Sequence, residues 1–180
     1  MRIAPAMRFS PHLTTNNKWF AYRLRGFTLI EMMIVIAILA IFASIAVPSF
    51  NDAILSGKLR AYANDMVAST HLARSEALKR NAVVRLCASS NGTSCSGNWK
   101  DGWIVLSSTD AVIQTQQGVD ANYKITGNVN TLSFQPTGVG STQATLTICR
   151  ETPQAGSQER VVTISATGRA SVTRTSTGSC

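Results

Sequence analysis

Two histidines, four cysteines and nine carboxylates are what the chain offers to chemistry, and their arrangement excludes most of it. No serine, histidine and aspartate form a nucleophile arrangement, no acids pair at a useful spacing, and neither HExxH nor a phosphate loop occurs. His71 lies among Ala and Leu in a helical stretch, where a packed or solvated imidazole outweighs a general base. Enzymatic activity and a cofactor are therefore not expected. The cysteines are Cys87, Cys95, Cys149 and Cys180. They contain no CxxC pair and lie away from His12 and His71, which argues against a metal site. Their even count fits two disulfides in an oxidising compartment, with buried free thiols as the alternative. Four cysteines permit three pairings. The short Gly/Ser/Asn loop between Cys87 and Cys95 favours that bridge, leaving Cys149–Cys180 to pin the C-terminus.

One carboxylate stands in an unusual place. Glu31 lies inside the apolar run 27–47, whose 21 residues contain no other charge. A helix of that length rises about 31 Å, which matches a bilayer core of roughly 30 Å. Burying a carboxylate there costs a few kcal/mol even on lenient scales, so Glu31 needs a reason to persist. The run is too long for an ordinary signal-peptide core, and a small-residue cleavage site after it is hard to place.

The elements around this run can be read from texture. The net charge is +8, and residues 1–26 carry Arg2, Arg8, Lys18, Arg23 and Arg25 with no acid. The remainder is only mildly basic, so the high pI is not a nucleic-acid signal by itself. Residues 1–25 show no apolar periodicity and read as a cytoplasmic leader, with Met7 as an alternative start. After the run, Ile54, Leu55, Leu59, Tyr62, Met66, Val67, Leu72 and Leu78 recur near every third or fourth residue. One helix is thus predicted from about Phe27 to about Lys79, bent near Pro48, apolar all round in its first half and amphipathic in its second. Beyond Asn81 the chain turns to Val, Thr, Ile and Ser with Gly, Asn and Pro punctuation. Strands are predicted at 83–88, 103–107, 112–116, 123–126, 132–135, 145–150, 160–166 and 170–173, forming an antiparallel sheet on the amphipathic half-helix. The fold class is α+β. The expected divisions are a leader at 1–26, a membrane-spanning half-helix at 27–50 and a globular head at 51–180.

The segment Arg25-Gly26-Phe27-Thr28-Leu29-Ile30-Glu31, directly before the apolar run, resembles the type III signal of type IV pilins and type II secretion pseudopilins. The resemblance implies that a membrane aspartyl protease, the prepilin peptidase, cleaves between Gly26 and Phe27 and N-methylates Phe27. Glu31 then becomes the fifth residue of the mature chain, facing the terminal amine of a neighbouring subunit. Such a pairing offsets its desolvation and helps to set axial register. Gly26 suits a protease that must approach the backbone closely.

A second resemblance covers most of residues 25–180. In order, the segments 73–81, 83–87, Asp101-Gly102-Trp103-Ile104-Val105, 132–138, Leu146-Thr147-Ile148-Cys149, 161–165 and Thr167-Gly168-Arg169 look like the GspH/FimT group of minor pilins and pseudopilins. Four head cysteines look more like the FimT/FimU pilus branch. The resemblance implies a structural subunit of the initiating or tip complex of a type IV pilus. Its implied partners are other major and minor pilins, the prepilin peptidase and the inner membrane, which it crosses once with a periplasmic head before entering the surface filament. A type II secretion pseudopilin is one alternative.

The other alternative is a DNA-binding minor pilin for natural transformation. That activity is attributed in the group to a Gly-Arg-x-Arg stretch, matched here by Gly168-Arg169-Ala170-Ser171 without the second arginine. Arg174 follows it, and Arg169, Arg174, Arg160 and Arg150 are the candidates for a basic patch on double-stranded DNA. Such residues would contact phosphate only, giving non-specific, salt-sensitive binding. Lys58, Arg60, Arg74, Lys79 and Arg80 read as a solvated helix face, Trp99 and Trp103 as core or strand-edge residues, and Phe134 and Pro136 as shaping a strand end.

Overall fold

Thr28 starts the first element. Its hydroxyl accepts the Glu31 backbone N–H at 3.2 Å and its carbonyl accepts that of Met32 at 3.2 Å, so it caps the helix α1, Leu29–Arg80. A computed structural model describes residues 26–140, 142–151 and 158–176, and within α1 all side chains except those of residues 48, 49 and 52. The leader 1–25 and Cys180 lie outside the described residues, as does the side chain at the Pro48 bend. The chain divides into two compact units at Ala43/Ser44.

In the first unit the helical side chains from Leu29 onward are exposed, including Leu29, Ile30, Ile36, Leu39 and Phe42. The apolar span Leu29–Val47 has a mean hydropathy of 2.7 and none of it is buried. A helix apolar on every face and left exposed by the described residues has the composition of a membrane span.

The second unit holds the rest of α1 and eight strands. These are β1 (Val84–Ala88), β2 (Gly102–Leu106), β3 (Val112–Gln117), β4 (Tyr123–Gly127), β5 (Thr131–Phe134), β6 (Ala144–Arg150), β7 (Glu159–Ile164) and β8 (Ala170–Thr175). The predicted strands all form, within a residue or two at each end. They divide between two four-stranded antiparallel sheets, β3-β2-β1-β5 and β4-β6-β7-β8, where the sequence predicted one.

Both sheets contribute to one core with α1. The buried seam of the helix is Leu55, Leu59, Ala63, Met66, Ser69, Thr70, Ala73 and Ala77, which share one face through three- and four-residue spacings. Half of this seam is small. Ala63, Ala73 and Ala77 share one core with Trp103, Leu86, Phe134 and Ile164, and Ser69 is buried against the Trp103 indole. Of the large residues expected in the seam, Ile54 and Leu78 are instead exposed.

The helix ends by a polar device. Asn81 takes φ 48°, the Ala82 N–H donates to the Ala77 carbonyl at 3.3 Å, and the Asn81 N–H to that of Leu78 at 3.4 Å. This is a Schellman closure with asparagine in the left-handed position. Lys79 and Arg80 favour the negative helix end and both pair with Glu76, at 3.6 and 2.6 Å. From a short 3-10 turn, Trp99–Asp101, the Trp99 indole N–H donates to the Val129 carbonyl in the β4–β5 loop at 2.7 Å. A Cβ at position 127 would lie 2.9 Å from that indole nitrogen and 2.6 Å from Leu146, so Gly127 is set by close packing.

Candidate assembly and binding sites

Gly26, Phe27 and Glu31 stand together at the head of α1. Phe27 is 74% exposed, and a Cβ built on Gly26 would meet nothing within 4 Å. Among the described residues, then, nothing crowds position 26. Glu31 is the third helical residue, in the Thr-x-x-Glu spacing that suits a helix start, where a carboxylate also meets the positive end of the helix dipole.

Cys87 and Cys95 are bridged, with Cα atoms 5.5 Å apart, as the short loop predicted. Cys87 is fully buried on β1, opposite Ile104 of β2, and with Leu106 forms a small second core behind the first sheet. Cys149, on β6, is also disulfide-bonded. Its expected partner Cys180 lies outside the described residues.

The four candidate arginines do not form one surface. Arg150 ends β6, half-buried, opposite Tyr123. Arg169 is exposed in the β7–β8 turn, and Arg174 is exposed on the edge strand β8. Arg160 departs from the expected patch: it is 5% exposed, facing α1 from β7, and donates to the Ser56 hydroxyl at 2.9 Å and to the Glu159 carbonyl at 3.0 Å. Strand alternation gives the reason, because Arg160 shares its face with Val162 and Ile164 of the core. Gly168, which carries the Gly-Arg resemblance, has φ 72°, and a Cβ there would lie 2.8 Å from the Gly138 carbonyl. Turn geometry alone accounts for that glycine.

Of the basic helix residues, Lys58, Arg60, Lys79 and Arg80 are exposed, as a solvated face requires, and three of these four also hold ion pairs. Lys58 pairs with Asp120 and lies 5.5 Å from the centre of the Tyr123 ring, which meets Tyr62 edge-on at 5.3 Å. Its hydrogen bond and charge hold the Asp120 carboxyl below its ordinary range. Lys79 and Arg80 share Glu76, Arg74 is half-buried, and Arg60 is exposed. His71 is exposed, Trp99 and Trp103 are core, and Phe134 is fully buried at the end of β5.

Sequence reasoning missed Ser69. It is 1% exposed on α1 and its hydroxyl accepts the Trp103 indole N–H at 2.9 Å. The signal was its position, within the three-and-four spacing of the seam. A cleft of about 420 Å³ beside β4, lined in part by Lys100, Lys124, Thr126, Asn130 and Glu151, brings no acid–base pair to a reacting point. No group of metal-ligating side chains occurs among the described residues.

Comparison with known proteins agrees with this architecture. Residues 62–168 match the family of the type II transport protein GspH, and residues 23–47 match the prokaryotic N-terminal methylation motif. The structure is similar to the type IV minor pilin FimU of Pseudomonas aeruginosa PAO1 in one crystal form, at 25% identity and a TM-score of 0.53 over 65% of this chain and 89% of that one. A second crystal form of FimU gives 24% identity and a TM-score of 0.52 over 64% and 92%. The minor pseudopilin EpsH of the Vibrio cholerae type 2 secretion system is more distant, at 12% identity and a TM-score of 0.48 over 65% and 97%. No curated protein matches in sequence. With a methylation motif ahead of an apolar helix and a head matched over most of its length, the chain belongs to the GspH family of minor pilins and pseudopilins.

Proposed function

We propose that the chain is a minor type IV pilin, a non-enzymatic subunit that helps to initiate pilus assembly or joins the tip complex. In this reading residues 1–26 are a leader removed by prepilin peptidase, 27–50 are the membrane-spanning half of α1, and 51–180 are the head. The subunit first crosses the inner membrane once, with its head in the periplasm, and then passes into the filament among other major and minor pilins. One observation carries the reading: Glu31 sits in an otherwise apolar span that no other described residue covers, shortly after Gly26. An uncovered apolar helix needs partners, and a carboxylate within it needs a cation among them. The likeness to FimU favours the pilus over a secretion pseudopilin.

The processing step has a direct test. The mature chain is expected to begin at N-methylated Phe27 by intact mass, and Gly26→Val is expected to leave the leader attached. A mature chain starting elsewhere rejects the cleavage assignment.

DNA binding is the second reading, favoured only by the exposure of Arg169 and Arg174. With Arg160 buried, two exposed candidates remain beside the half-buried Arg150. Contact through two phosphates gives a log–log salt slope of about −2, hence weak and non-specific affinity. Fluorescence anisotropy of the full-length protein in detergent checks this. A slope of that size, lost in the Arg169→Ala/Arg174→Ala double variant, supports the reading; a slope unaffected by both substitutions rejects it.

A further inference from the structure

Three arginines approach one another on the head, and none of them has an ion pair among the described residues. Arg160 reaches from β7 to Ser56 on α1. Arg174 of β8 is its directly opposed cross-strand partner. Arg60 lies one helical turn beyond Ser56, on the same side of α1. The two acceptors of Arg160 are a hydroxyl and a carbonyl, both neutral. The ion pairs among the described residues join Lys58 to Asp120, Glu76 to Lys79 and Arg80, and Arg85 to Asp110, and use none of the three. The carboxylate of Glu159 lies on the other face of β7, where it accepts the Thr175 hydroxyl at 2.9 Å.

Such a cluster is costly in an isolated subunit. Like charges directly opposed across two strands repel, and a buried cation without a carboxylate bears its desolvation uncompensated. Burial first, and then the charges of Arg174 and Arg60, push the Arg160 guanidinium below its ordinary pKa. Clusters that oppose folding in this way are relieved when an anion arrives.

We propose that Arg160, Arg174 and Arg60, with the Ser56 hydroxyl, form an anion site that receives a carboxylate from a neighbouring pilin subunit. The occupant rests on the minor-pilin reading above; the site itself does not. A recessed planar guanidinium suits one carboxylate held by a fork of N–H donors. It does not suit a duplex, whose backbone needs a stripe of exposed cations. Arg169, the other exposed arginine of this region, stands five residues before Arg174, about 17 Å along an extended strand. Ser56 and Arg60 also belong to α1, the element that the filament reading packs among neighbouring subunits.

The test uses the full-length mature protein in detergent and follows its thermal midpoint in succinate against potassium chloride at equal ionic strength. At ten times the dissociation constant the midpoint is expected to rise by about 3–6 °C. The shift is expected to vanish in Arg160→Met and in Arg174→Glu, the second being an exposed change that keeps the fold. Without succinate, Arg160→Met is expected to hold or raise the midpoint, because it removes an uncompensated buried charge. In cells, Arg174→Glu is expected to be lost from sheared filaments while Arg174→Lys is retained. No succinate shift, or a shift that survives both substitutions, overturns the site. A shift with a short DNA duplex that depends on Arg160, where succinate gives none, overturns the carboxylate assignment. Retention of Arg174→Glu in filaments overturns the neighbouring subunit as occupant. Absence of the unsubstituted chain from filaments is a separate failure, that of the minor-pilin reading.

Discussion

Replacing Glu31 by valine is expected to leave leader removal intact and to reduce filament incorporation by at least about a hundredfold. Membrane insertion should not suffer, since valine is favourable in the apolar span where a carboxylate is costly. The loss arises on assembly. In the proposed filament Glu31 meets the terminal amine of a neighbouring Phe27, and valine leaves that amine buried and unpaired. Breaking one side of a buried ion pair costs about 3–5 kcal/mol, and each 1.4 kcal/mol is a factor of ten. Glu31→Gln should be milder, because its amide oxygen still accepts a hydrogen bond from the amine. Immunoblots of sheared filaments and of membranes separate the two steps. Equal incorporation of Glu31→Val and the unsubstituted chain would remove the role given to this residue.

Trp103→Ala is expected to unfold most of the head at 37 °C. Trp103 is 1% exposed, in the core shared by α1 and both sheets, and its indole N–H donates to buried Ser69 at 2.9 Å. Truncating a buried tryptophan to alanine costs about 3–5 kcal/mol, and stranding the Ser69 hydroxyl adds about 1–3 kcal/mol. The sum approaches the whole stability of a typical domain. Ser69→Ala alone should cost about 1 kcal/mol, and the double variant should lose less than the two single losses combined, because neither polar partner is then left over. Denaturant unfolding of the four proteins reads the coupling. Strict additivity would mean that the indole–hydroxyl bond contributes nothing.

Much of the fold was legible in the sequence because its signals are local. Strands announced themselves by β-branched residues between turn residues, and the membrane span by length and apolarity. The Cys87–Cys95 bridge was legible because a loop of only seven residues separates the two thiols. What was illegible depends on distant partners. Nothing near Thr131 says that β5 pairs with β1 across more than forty residues, or that β4 starts a second sheet. The helix seam was read through its large residues, so Ile54 and Leu78 were placed inside and the alanines overlooked. Packing against Trp103 and Phe134 rewards small side chains, which carry no hydrophobic signal of their own. Arg160 looked like surface because arginine usually is, and only its register with Val162 and Ile164 turns it inward. Lys58 and Asp120 pair across 62 residues, beyond any local rule.

Filaments sheared from cells and freed of membrane should contain the mature chain as a minor component beside the major pilin, and should lose it in Glu31→Val. Finding the chain wholly in the membrane fraction of cells that carry normal filaments would contradict a minor type IV pilin.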